Sequence, residues 1–182
     1  NISLIAVDEA HCISQWGYDF RPSYLKIAEL KEMLPEVPII ALTASATNEV
    51  IKDIVTKLHF TKPLLFKKSF FRPNLHYVIR ETENKEEQLI HICKTLKGSM
   101  VVYVRNRKKT KEYATILNEG GLSATYYHAG LSPEERNKKQ NDWIKGSVKI
   151  IVATNAFGMG IDKADVRSVI HMDLPDSVEA YY

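Results

Sequence analysis

The chain has 182 residues, 45% of them hydrophobic and 26% charged, with a formal net charge of +3. That composition excludes disordered and fibrous classes and leaves room for one large domain or two small ones. No apolar run reaches the roughly 18 residues of a membrane span. The opening Asn1-Ile2-Ser3-Leu4-Ile5 has neither the basic region nor the cleavage pattern of a signal peptide. A charge of +3 is too small to argue for polyanion binding by itself. The basic groups Lys67-Lys68 and Arg105, Arg107, Lys108, Lys109, Lys111 read first as solvated faces. Cys12 and Cys93 lie far apart, with no CxxC pair and no His at zinc-ligand spacing, so a reduced, intracellular protein without a metal site in this segment is expected, cytoplasmic by default.

In chain order, Ile2–Val7 is a continuous apolar run, the pattern of a strand buried on both faces. Ile39–Leu42 is a second strand after Pro38, and 49–58 reads as a helix with Val50, Ile54, Val55 and Leu58 in one stripe. Residues 64–66 predict a short strand. The segment 67–74 loses all period and predicts a domain boundary. Alternation over 75–80 predicts a strand, and Leu89, Ile92, Cys93 and Leu96 mark a helix that Gly98 ends. Residues 100–104 form a buried strand, Thr110, Tyr113, Ala114 and Leu117 a helix, and 124–127 another strand. Ser132-Pro133-Glu134-Glu135 is a capping box with proline at the first helical position, so a helix starts there. Residues 148–153 and 166–172 are two further buried strands, and a last helix opens near Asp176. Alternating strands and helices predict an α/β fold with parallel sheets and helices on both faces. In such sheets the loops at the carboxyl ends of strands carry the chemistry.

Three runs fall at those ends. Asp8-Glu9-Ala10-His11 follows the first strand directly. Adjacent carboxylates at a strand tip repel unless a cation lies beside them. They therefore read as an Mg²⁺ site, with Asp8 holding the ion through water and Glu9 deprotonating an attacking water; a solvated loop or helix cap is the plainer alternative. The small, hydroxylated run Ala41–Thr47 follows the second strand; it offers close packing and hydrogen-bond links, or a simple turn capped by Thr47 or Asn48. In the third run, Ala153–Asp162, Gly158 and Gly160 let backbone N–H groups approach an anion, or simply make a tight turn. Trp16, Tyr18 and Phe20 alternate with Gln15, Gly17, Asp19 and Arg21, which fits either an edge strand or a loop that stacks on bases.

Taken together, these segments resemble the superfamily-two helicases. The wider wording resembles the RecQ family: Asp8-Glu9-Ala10-His11-Cys12-Ile13-Ser14-Gln15-Trp16-Gly17, Asp19-Phe20-Arg21-Pro22, Tyr127-His128-Ala129-Gly130-Leu131 and Phe157-Gly158-Met159-Gly160-Ile161-Asp162-Lys163. The resemblance covers essentially the whole chain in order. It implies RecA-like domains, with residues 1–70 the end of the first motor domain and 71–182 most of the second. It implies an ATP-dependent DNA helicase that couples hydrolysis to 3′–5′ translocation and unwinding in repair and recombination, with ATP and Mg²⁺ as cofactors. Its DNA would be single strands and duplex junctions, and its location the cytoplasm, on the nucleoid in a bacterium.

Residue by residue, the resemblance implies that Asp8 and Glu9 serve Mg²⁺ and water, and that His11 with Thr43, Ser45 and Thr47 links hydrolysis to movement. Gly160 and Asp162 would lie near the nucleotide, while Trp16, Phe20, Arg21, Arg107, His128 and Thr154 would touch DNA. The chain departs from the family at Tyr18, where histidine is usual, and at Val104-Arg105-Asn106-Arg107, where only Arg107 matches. No G-x-x-x-x-G-K-[ST] run occurs. The phosphate loop upstream and the arginine finger and accessory domains downstream are expected outside this stretch, which alone should be inactive. Two other readings remain: an RNA helicase or duplex translocase of the same superfamily, which the aromatic loop disfavours, and an inert nucleic-acid-binding module, which has no need of Asp8-Glu9.

Overall fold

The computed structural model describes residues 2–17, 19–158 and 160–181; Tyr18, and with it the departure noted there, lies outside the described residues, as does Met159. The chain divides into two compact units, Asn1–Leu75 with Pro175–Tyr182, and His76–Leu174. The division falls a few residues past the aperiodic stretch, and the last eight residues group with the first unit rather than the second.

The first unit is built on two parallel strands, β1 (Ile5–Val7) and β2 (Ile39–Ala41), paired Ile5 to Ile39 through Val7 to Ala41. Two 3-10 turns (Ala10–Ile13 and Pro22–Lys26) and helix α1 (Ile27–Met33) lie between them, and α2 (Asn48–Lys57) follows. Ile5, Val7, Ile13, Val50, Ile54 and Leu58 close one core between the strands and α2, the stripe the helical spacing gives apart from half-buried Val55. α1 was not visible as a period, because Leu30 and Met33 on it are exposed.

Three expectations need correcting here. The first strand starts at Ile5, not Ile2, and only alternate residues are buried; Ile2 and Leu4 are each 55% exposed. Residues 64–66 and 75–80 are not strands, and the whole stretch 61–81 is exposed, with Phe66 at 91%. An apolar or alternating run becomes a strand only when a neighbouring strand takes its backbone hydrogen bonds, and among the described residues neither run joins a sheet.

The second unit is a four-stranded parallel sheet in the order β4-β5-β3-β6. Its elements are α3 (Lys85–Thr95), β3 (Ser99–Tyr103), α4 (Arg107–Glu119), β4 (Ala124–Tyr127), α5 (Pro133–Ile144), β5 (Ile150–Ala153) and β6 (Val166–His171). Pleating sends alternate side chains to opposite faces. Met100, Val102, Ile150 and Val152 pack with Leu89 and Cys93 of α3 and Leu117 of α4. Val101, Ile151 and Ala153 pack on the other face with Trp143 of α5 and Phe157. The two central strands therefore carry the unbroken apolar runs that the sequence shows. β6 is an edge strand, half-buried rather than buried, with Val169 53% exposed. The capping box forms as expected: Ser132 Oγ accepts from the Glu135 amide and Glu135 Oε2 from the Ser132 amide. The last helix, α6, spans Val178–Tyr181.

Candidate nucleotide and nucleic-acid sites

In the first unit the functional side chains hang from the carboxyl ends of β1 and β2. The Leu42 amide donates to Val7 O (2.8 Å) and the Ala10 amide to Leu42 O (2.9 Å), so the two loops leave their strands tied together. Asp8 is exposed, and its Oδ1 accepts from the Glu9 amide at 2.8 Å. Glu9 adopts the left-handed region (φ 49°, ψ 41°), which turns the chain sharply into the 3-10 turn. His11 on that turn is buried; its Nδ1 lies 3.0 Å from Thr43 Oγ1 and 3.3 Å from Glu9 Oε2. One imidazole thus joins the carboxylate run to the hydroxyl run, 32 residues apart in sequence. Ser45 is half-buried beside them, its amide reaching Thr43 Oγ1 at 3.4 Å. Thr47 caps α2 by accepting from the Val50 amide, so the capping role and membership of this loop coexist.

The aromatic segment is a loop, not an edge strand. At its start, buried Ser14 donates to Asp53 Oδ2 (2.7 Å) on α2 and accepts from the Trp16 amide (3.1 Å). The Ser14 hydroxyl, and after it Lys57, hold the Asp53 carboxyl below its ordinary range. At its end the Arg21 amide donates to Cys12 O at 2.8 Å, and the Arg21 guanidinium pairs with Asp19. A β-carbon at Gly17 would sit 2.6 Å from His11 O, so only glycine lets the loop lie against the His11 backbone. Trp16 projects outward, 75% exposed, and Phe20 is half-buried.

In the second unit Arg107, His128 and Thr154 follow β3, β4 and β5, whose carboxyl ends lie side by side. A β-carbon at Gly130 would meet Arg107 Nη1 at 3.1 Å and His128 Nδ1 at 3.3 Å, which brings those two side chains together over one glycine. His128 Nδ1 is buried and makes no hydrogen bond among the described residues. The Thr154 amide donates to Tyr127 O at 3.3 Å. Gly160 (φ +70°) and Asp162 are both exposed on the loop beyond Thr154.

The sequence gives no hint of Tyr103, which fixes that loop. Its hydroxyl donates to Phe157 O at 2.9 Å and would lie 2.8 Å from a β-carbon at Gly158 (φ +129°). Burial pushes the Tyr103 phenol above its ordinary pKa. Phe157 in turn packs edge-on against Trp143 (5.3 Å) and Tyr127 (4.9 Å). Tyr103→Phe removes one hydrogen bond worth about 0.5–1.5 kcal/mol, so the Ile161 amide, which donates to Gly158 O, should exchange roughly 2- to 13-fold faster. Unchanged exchange at Ile161 would show that Tyr103 only fills space.

Comparison with known proteins follows from this geometry. Residues 84–182 match the family model described as the helicase conserved C-terminal domain. Among solved structures, Saccharomyces cerevisiae Dbp5 bound to RNA and ADP BeF3 aligns with a TM-score of 0.70 at 21% identity, covering 97% of this chain and 46% of that one. Mycobacterium smegmatis helicase Lhr bound to ssDNA and AMP-PNP aligns with a TM-score of 0.70 at 21% identity, covering 98% of this chain and 26% of that one. These likenesses establish the fold: RecA-like parallel sheets with helices. Among curated relatives, the ATP-dependent DNA helicase RecQ of Pasteurella multocida is 44% identical over 100% of this chain and 29% of its own length. A protein of Acanthamoeba polyphaga mimivirus, provisionally named an ATP-dependent RNA helicase, is 47% identical over 100% of this chain and 33% of its own length. The chain thus spans about a third of the length of these two relatives and as little as 13% of others it matches. It belongs to the helicase conserved C-terminal domain family and is part of a RecQ-family helicase of superfamily two.

Proposed function

We propose that the whole protein is an ATP-dependent DNA helicase of RecQ type, moving 3′–5′ and unwinding duplexes at single-strand junctions in DNA repair and recombination. The observation that carries this reading is the His11 imidazole, placed between Glu9 and Thr43 with Gly17 of the aromatic loop packed on its carbonyl. In that arrangement Glu9 takes the proton from a water attacking the terminal phosphate of ATP. A change at Glu9 is felt by His11, and through it by Thr43, Ser45 and Thr47 and by the loop that presents Trp16.

Asp8 fits a hydrated Mg²⁺: it is an exposed carboxylate at a strand end, and this ion commonly keeps several waters and one or two carboxylates. When bound, the ion neutralises charge developing on the phosphates. Gly160 and Asp162 approach the nucleotide, and Trp16, Phe20 and Arg21 hold single-stranded DNA by stacking and charge. In the second unit, Arg107, His128 and Thr154 contact the DNA backbone, His128 donating from Nδ1, which has no hydrogen-bond partner among the described residues, to a phosphate oxygen. A cytoplasmic, nucleoid-associated location accords with this substrate. The reading rests on DNA rather than RNA, and the two separate in one assay. Turnover of ATP by the intact protein is expected to rise steeply with single-stranded DNA and little with RNA of matched length and sequence. Equal stimulation by RNA would favour the RNA-helicase alternative, and no turnover with either would favour an inert binding module.

A further inference from the structure

Ligand spacing in the sequence predicts no soft-metal set, yet the fold assembles one around the start of the aromatic loop. His11, Cys12 and Asp19 each offer one donor atom, and the three atoms lie within 4.8 Å of one another. His11 Nε2 is 3.8 Å from Cys12 Sγ, and Cys12 Sγ is 3.7 Å from Asp19 Oδ2. Tetrahedral Zn²⁺, with about 2.3 Å to sulfur and about 2.0–2.2 Å to nitrogen and oxygen, requires donor separations of roughly 3.4–3.6 Å. Two edges of the tetrahedron are therefore present to within a few tenths of an ångström.

A second feature is independent of those separations. His11 Nδ1 faces Thr43 Oγ1 and Glu9 Oε2, and a carboxylate oxygen accepts rather than donates. The ring proton therefore belongs on Nδ1, which leaves the Nε2 lone pair pointing at the Cys12 thiol. Metal-binding histidines are oriented in this way, their other nitrogen donating to a carboxylate or similar group. Thiol, imidazole and carboxylate together select a borderline-soft ion and discriminate against Mg²⁺, whose oxygen-only preference is met at Asp8.

We infer that His11, Cys12 and Asp19 form a binding site for a thiophilic divalent cation of the Zn²⁺ class, and that this ion and the Arg21 guanidinium compete for Asp19. Arg21 pairs with Asp19 in the metal-free protein. Both side chains are more than one-third exposed, whereas His11 and Cys12 are buried, so displacement of Arg21 opens the path inward. On binding, the Cys12 S–H bond breaks, its proton leaves to solvent, and the sulfur lone pair bonds the ion; water fills the fourth position. Burial, followed by Asp19, keeps this thiol above its ordinary pKa, so in the metal-free protein the proton stays on sulfur.

The test is a titration of the intact, metal-stripped protein with Co²⁺ alone, followed by displacement with Zn²⁺. A thiolate-to-cobalt charge-transfer band in the near ultraviolet should appear and should vanish on adding Zn²⁺. In a difference spectrum the band must be missing from Cys12→Ser. Asp19→Asn, a change at a half-exposed side chain that spares the core, should weaken Co²⁺ by about tenfold or more. Arg21→Gln should do the reverse and tighten it. A band that persists in Cys12→Ser, or Co²⁺ affinity unmoved by Asp19→Asn, overturns the site. Should Cys12→Ser fail to fold, the Asp19 variant alone decides. Weaker binding in Arg21→Gln overturns the competition with the guanidinium.

Discussion

Glu9→Gln in the intact protein is expected to lower kcat by about 10²–10⁴-fold, the usual contribution of a general base, with nucleotide affinity largely kept. The glutamine amide oxygen can still accept from His11 Nδ1, as Glu9 Oε2 does at 3.3 Å. Its side chain has the same length and branching, so the left-handed backbone at position 9 is no more strained than before. The contact to His11 survives, and what disappears is the capacity to take a proton. Single-turnover hydrolysis measured beside equilibrium nucleotide binding separates the two effects. Wild-type turnover in this variant would mean that a group other than Glu9 activates the water.

Trp16→Ala is expected to abolish unwinding and most stimulation of ATPase by DNA, while the melting temperature barely moves. Stacking on a base is worth about 1–3 kcal/mol, so single-strand affinity should fall roughly 5- to 150-fold. The claim about melting rests on location. Trp16 is 75% exposed, and the loop beneath it is fastened by Ser14 to Asp53 and by the Arg21 amide to Cys12 O, none of which involves the indole. Trp143 makes the contrast: it is fully buried, its Nε1 donates to Met100 O at 3.2 Å, and truncating such a residue costs about 3–5 kcal/mol. A fall in melting temperature on the scale of a core truncation would place Trp16 among the residues that hold the fold together.

Much of the architecture was legible because the central strands of a parallel sheet need apolar side chains on both faces, and 100–104 and 150–153 have them. The Ser132 box was legible because capping acts between residues three apart. What escaped has one cause: it depends on a partner that local sequence does not name. The runs at 64–66 and 75–80 have strand texture but join no sheet among the described residues. The His11–Thr43 contact, the Tyr103 hydroxyl on Phe157 O and the approach of Asp19 to Cys12 Sγ all join residues through folding rather than through spacing. For the sites the same division holds. Which residue types stood at strand ends was readable; that one imidazole would serve both the carboxylate and the hydroxyl loops was not.

The left-handed backbone at Glu9 has a consequence for how this chain would drift. A side-chain-bearing residue in that region is disfavoured, commonly by 1 kcal/mol or more, whereas glycine adopts it freely and asparagine more readily than most. A library screened only for well-folded survivors should therefore enrich glycine or asparagine at position 9 and lose the carboxylate proposed as the general base. On the proposed role of Glu9, a glutamate standing there gives up backbone stability for a proton-accepting carboxylate. Thermostabilised variants should therefore be checked at this codon first, since the easiest gain in robustness would remove the carboxylate proposed to take the proton.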